Sequence, residues 1–154
     1  MRLSPRELDD RVARLAELLR RDGHVSLAMS EPGQVPFQMD ARVTAPGGAA
    51  GHDISFRYYE GYAWDGVAWE LAEYVYLMSW QTGQGQLEHH WHAFPWPDGE
   101  AIYHLHCTPP GGTRGHFRDH LVFIEEARDE FRRRYAADES IDCTPYYPLD
   151  ASRV

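Results

Sequence analysis

Lysine is absent from this chain; all fifteen basic residues are arginine, which we read as genomic base composition rather than mechanism. No apolar run approaches the ~18–20 residues that a helix needs to span a bilayer. Met1 to Arg21 is charged throughout and lacks the apolar core of a signal peptide, so the expected location is the cytoplasm. Cysteine is scarce as well. Cys107 and Cys143 form no recognisable framework, so reduced thiols are expected. Positive charge is missing from the middle of the chain, where Arg42 and Arg57 are the only arginines between Gly23 and Thr113. They face Glu31, Asp40, Asp53, Glu60, Asp65, Glu70, Glu73, Glu88, Asp98 and Glu100. An acidic middle repels phosphate and argues against a broad nucleic-acid footprint, while leaving room for a small anion site near Arg114 and Arg118.

What is present fits one folded domain over residues 1–154, since 154 residues suit a single core. The 13% aromatic share lies mostly between Phe56 and Tyr103 and favours a sheet through the middle of the chain. Ser4-Pro5-Arg6-Glu7 is a helix start with a cap, a proline at the first helical position and a capping-box glutamate. Leu8, Val12, Leu15, Leu18 and Leu19 recur at helical spacing, and Gly23 supplies a stop, predicting a helix over Pro5 to Arg21.

Six strand-like segments follow: 25–29, 36–44, 54–62, 71–80, 86–94 and 101–106. Ala45 to Gly51 reads as a flexible loop, Gln81 to Gly85 as a hairpin loop, and Pro95 to Gly99 as a turn. Pro109-Pro110-Gly111-Gly112 is expected to end the sheet, with Thr113 capping a closing helix. Its apolar stripe would be Phe117, Leu121, Ile124, Ala127 and Phe131, with Arg128, Arg132 and Arg133 on other faces. From about residue 136 the tail is expected to be irregular. The fold class is therefore α+β: an antiparallel sheet of about five to six strands flanked by an N-terminal and a C-terminal helix.

Seven of the nine histidines fall between residues 89 and 120: His89, His90, His92, His104, His106, His116 and His120. Residues two apart in a strand share a face, so His90 pairs with His92 and His104 with His106. Residues four apart share a helix face, which would stack His116 near His120. If the strands are neighbours, several imidazoles converge. Such a cluster suits a divalent transition metal such as zinc, with His90, His92, His104 and His106 as ligands and Asp119, Glu88 or Cys107 completing the site. It equally suits metal-free acid–base chemistry, because histidine titrates near neutrality. Solvated histidines on a strand are the plainer alternative. The Trp64, Trp69, Tyr74, Tyr76 and Trp80 series reads as sheet packing rather than a ligand platform. Gly47, Gly48 and Gly51 lack the Lys-Ser/Thr of a phosphate loop, and Cys107 reads as a buried inert thiol.

The hairpin carrying Tyr74 to Trp80 and Glu88 to His92, then His104-Leu105-His106, Pro109-Pro110 and a closing helix, resembles the TumE-type toxins of toxin–antitoxin pairs. The resemblance covers roughly residues 70 to 135. Where that family tends to show Asn-Pro-His-His, this chain has Phe94-Pro95-Trp96-Pro97. The resemblance implies a ribonuclease with a protein antitoxin as partner and RNA as substrate. His104 and His106 carry over as acid and base, and His92 carries over less directly. From the residues themselves, His92 or His116 would assist and Arg114 or Arg118 would hold the phosphate. The competing reading is a non-catalytic module that docks a basic protein partner on an acidic, aromatic sheet; a third is a structural metal site.

Overall fold

The computed structural model describes residues 1–31, 34–45, 54–80, 85–91, 103–118, 120–136, 141 and 143–146. Its elements run β1 (Arg2–Leu3), α1 (Pro5–Arg20), β2 (His24–Met29), β3 (Phe37–Ala45), β4 (Ile54–Trp64), β5 (Trp69–Trp80), β6 (Gln86–Trp91), β7 (Tyr103–Thr108), β8 (Gly115–Arg118) and α2 (Ile124–Ala136). Strands β2 to β8 lie in chain order in one antiparallel sheet, and β1 pairs with the start of β5. The α+β reading is met, with eight strands among the described residues where about five to six were expected. The additions are the two-residue β1, too short for any period to register, and β8. The loop at 46–51, the hairpin residues 81–84, the turn at 95–99, His92 and Asp119 lie outside the described residues.

The start of α1 forms as its sequence dictates. Ser4 caps the helix, Glu7 reaches back to the Ser4 amide at 2.8 Å, and Pro5 opens the first turn. Leu8, Leu15 and Leu19 are buried, and full burial of such a side chain is worth on the order of 2 kcal/mol. Gly23 is needed for a different reason from the expected helix stop: a Cβ there would sit 2.3 Å from the Thr44 carbonyl oxygen, so only glycine lets the chain enter β2 against β3.

The closing helix starts later than expected. Pro109 to Gly112 form a turn, in which the Gly112 amide donates to Pro109 O at 3.0 Å and Gly111 takes a φ of +68°. The sheet therefore continues into β8, which pairs with β7 and places Phe117 opposite Leu105. Thr113 caps nothing helical. Phe117 and Leu121 happen to sit at helical spacing from Ile124, but the backbone of 115–118 finds its partners in the β7 ladder. Within α2 itself, Ile124, Ala127 and Phe131 are buried as expected. Arg128 is buried too, contrary to its expected place on an outer face, and binds Asp22 after α1 at 2.5 and 2.8 Å.

Strict alternation divides the sheet into two faces. Met39, Ala41, Val43, Phe56, Tyr58, Tyr74, Tyr76, Met78, Leu87 and Leu105 form the helix-covered core. Phe131 stacks on Phe56 with ring centroids 6.2 Å apart and meets Tyr58 in a tilted contact at 6.1 Å. A register shift at Gly61/Tyr62 moves the phase of β5, so Leu71 rather than Ala72 faces inward.

A buried ion pair locks α1 to this face. Glu60 is fully buried, and Arg11 donates to it at 2.6 Å through Nη2 and 3.2 Å through Nε. Tyr76 donates to the same carboxylate at 2.7 Å, and Tyr62 also hydrogen-bonds to it. Burial alone would lower the Arg11 pKa, and the Glu60 carboxylate more than reverses that. Every polar group in the network has a partner, and the network lies sealed beneath α1, so we assign it a structural role.

Candidate active site

The face opposite the helices carries the chemistry-bearing residues, and the strand register brings them together. His90 pairs with His104, which pairs with Arg118. In the next row on the same face, Glu88 pairs with His106, which pairs with His116. Four of the histidines singled out in the sequence therefore occupy adjacent positions on three neighbouring strands. The side chains of His90, His116 and Arg118 lie outside the described set, as does His92 altogether.

His104 and His106, two apart on β7, have ring centroids 4.7 Å apart. Glu88 lies between two basic groups: its Oε1 is 3.4 Å from His106 Nδ1, and Arg114 Nη2 lies 3.3 Å from each of its oxygens. Arg114 also hydrogen-bonds to His106 Nδ1. A guanidinium only donates, so Nδ1 accepts in this arrangement and a neutral His106 carries its proton on Nε2. Among the described residues no helix covers this face, yet the Glu88 and His106 side chains are only 10% and 12% exposed, and His104 only 2%. Arg114 is half exposed. Polar side chains withdrawn from water thus lie against one another, with the half-exposed Arg114 at the rim.

Other expectations are redrawn. His116 and His120 do not share a helix face: His116 is on β8, and His120 lies in the loop after it, exposed, with Nε2 3.3 Å from Glu126. His89 faces the core, where its Nε2 is 3.1 Å from Glu130 Oε2 and its ring packs on Phe131. Arg114, expected to hold a phosphate, contacts Glu88 and His106 in this structure. Among the described residues, no three His, Cys, Asp or Glu side chains are grouped to hold a metal ion.

The cysteine reading is overturned. Cys107 on β7 and Cys143 are joined in a disulfide 36 residues apart in sequence. The bond requires the tail to fold back over the sheet, a long-range contact that no local spacing announces. It pins the tail, expected to be irregular, beside a single turn of 3-10 helix at Thr144–Tyr146. Among the described residues no helix is long and apolar enough to cross a membrane.

The contribution of Glu88 was the part least visible in sequence. It appeared only as an optional metal ligand, although its position two before His90 places it on the same strand face. Across the face, Arg57 and Asp40 form a bidentate pair at 2.9–3.2 Å, and Tyr59 donates to Glu73 at 2.5 Å.

No protein-family model matches this chain, and neither the curated proteins nor the solved structures include a match.

Proposed function

We propose that the open-face cluster is the active site of a metal-free, toxin-like ribonuclease belonging to a toxin–antitoxin pair. The observation that carries this reading is the mutual contact of His106, Glu88 and Arg114 on the sheet face opposite α1 and α2. An RNA phosphate competes for Arg114, the half-exposed cation, and draws it from His106 Nδ1. Nδ1 then takes the proton of the ribose 2′-hydroxyl as that oxygen attacks phosphorus, and Glu88 stabilises the imidazolium. The 5′-oxygen leaves with a proton from a second acid. His116, the cross-strand partner of His106, is the candidate for that role. The products are a 2′,3′-cyclic phosphate and a 5′-hydroxyl end.

In this proposal His104, expected from sequence to be the acid, is given a positioning role, supported by its 2% exposure. A persistent disulfide favours an oxidising setting for at least part of the protein's life, so the cytoplasmic expectation is not carried forward. The test is cleavage of single-stranded RNA. His106→Ala should lower the rate about 10²–10⁴-fold, a 2′-deoxy residue at the cleaved position should block it, and a chelator should leave it unchanged. Chelator-sensitive cleavage would transfer the site to its metal-dependent version, and no cleavage by the wild-type protein would remove both.

A further inference from the structure

The other end of the sheet holds an apolar groove that the ribonuclease reading does not use. It has a volume of about 750 Å³ and runs between α1 and strands β2 and β3. Leu8, Val12 and Ala13 of α1 form one wall, and Leu27 and Met29 form the floor. Trp64 and Trp69, with ring centroids 5.2 Å apart, close one end. Met29 is 53% exposed, and Val35 beside it 59%. These are large apolar side chains left in water where an adjacent helix could have covered them.

The groove borders an edge strand with none of the usual defences. Among the described residues β2 pairs only with β3, in six uninterrupted pairs. His24-Val25-Ser26-Leu27-Ala28-Met29 contains no Asp, Glu, Arg or Pro and no bulge, the devices by which exposed edges are normally protected from further pairing. The Ser30 amide donates to Gln38 O at 3.0 Å. By antiparallel alternation, His24, Ser26 and Ala28 then bond inward to β3, and Val25, Leu27 and Met29 direct their backbone N–H and C=O groups outward. The residues that offer the unused ladder are therefore those whose side chains lie on the groove side. An occupant able to use both features is an extended chain whose alternate residues are apolar.

Charge selects which extended chain. Asp9 is the one charged residue lining the groove, and among the described residues it has no ion-pair partner. The neighbouring arginines are engaged, Arg6 with Asp10 and Arg2 with Asp65. A second copy of this chain could pair β2 with β2, but it would bring together two molecules of net charge −9, with an Asp9 in each groove.

We propose that β2 and its groove are a docking site for an extended, basic peptide segment of a partner protein, which adds as a strand beside β2. Alternate apolar side chains of the segment enter the groove, and a Lys or Arg meets Asp9. This site is independent of the open-face histidines.

The test uses the full chain and a blocked synthetic peptide of about nine residues, alternating leucine and threonine with arginine at both ends. It should bind, slow amide exchange at Val25, Leu27 and Met29, and change tryptophan emission. The same peptide ending in glutamate should bind at least ~10-fold more weakly, and N-methylation of its pairing amides should abolish binding. Leu27→Lys, which places a charge on the edge, should weaken binding by ~10-fold or more. Asp9→Asn should weaken the arginine peptide ~3–10-fold while leaving the glutamate peptide no weaker. Asp9 is exposed on α1, so that variant carries the test even if Leu27→Lys folds poorly. The proposal is overturned if no peptide binds, or if both charge types bind equally without protecting β2. It is also overturned if the wild-type protein is a dimer that Leu27→Lys converts to monomer, because the edge would then belong to a second copy.

Discussion

The two ends of the sheet solve opposite problems. At the β2 end, an apolar groove lies on the helix side and the edge strand has no formally charged side chain. At the β6–β8 end, α2 packs on the helix side against His89 and the tail is tied to β7 through Cys143; on the other face Glu88, His104 and His106 are withdrawn from water, with no helix above them among the described residues. The last strand there is only four residues long and includes His116 and Arg118, a short and charged edge of the protected kind. One end thus presents an apolar groove beside an open strand edge, the proposed peptide site, and the other presents paired charged and imidazole groups, the proposed catalytic site. The same alternation produces both, because each strand contributes one residue in two to each face.

The comparison breaks most severely if either end is detached from the core. Arg11→Ala removes the cation that ties α1 to Glu60 and leaves a buried carboxylate served only by tyrosine hydroxyls. We expect a loss of about 3–5 kcal/mol in chemical denaturation. Because α1 forms a groove wall, binding of the arginine-ended peptide should fail before RNA cleavage does.

At the other end, Cys107 and Cys143 close a loop of 36 residues. Replacing both with alanine should cost about 3–4 kcal/mol on the loop-entropy account, and this change should affect cleavage before peptide binding. A thiol reagent should find no free cysteine in the unreduced protein.

High pH provides a smaller, graded effect. Burial, reinforced by the Glu60 charge, raises the pKa of Tyr62 and Tyr76, and burial with a contribution from Asp22 raises that of Tyr58. The folded values lie above the unfolded one, so the unfolded chain loses these protons first. Stability is fully present below pH ~10 and declines above it. Spectrophotometric titration should show these three tyrosines silent until the protein unfolds. Smallest of all, Leu27→Lys should change stability by no more than about 0.5–1 kcal/mol, since Leu27 is only partly buried.

Much of the fold was legible because its signals are local. Ser4, Pro5 and Glu7 announce α1, and the alternation of Phe56, Tyr58 and Glu60 or Tyr74, Tyr76 and Met78 announces central strands. What was missed depends on contacts distant in sequence. Residues 115–118 take strand form because β7 is beside them, and Cys143 reaches Cys107 across 36 residues. Arg11 and Arg128 were indistinguishable from solvated helix arginines until Glu60 and Asp22 were placed next to them. For the site, the two-residue spacing of His104 and His106 correctly implied a shared face. The neighbouring of β6 and β7 was a condition the sequence left open, and the place of His116 on β8 was not anticipated. That His104 and His106 are both withdrawn from water while Arg114 stays half exposed could not be read from spacing, which is the same for a solvated pair.

The open-face cluster, and not the groove, is the proposed seat of the chemistry. The most direct measurement compares cleavage of a single-stranded RNA by the wild-type protein, His106→Ala and Leu27→Lys. The account predicts that His106→Ala loses cleavage about 10²–10⁴-fold while Leu27→Lys cleaves like wild type. Equal cleavage by wild type and His106→Ala would contradict it.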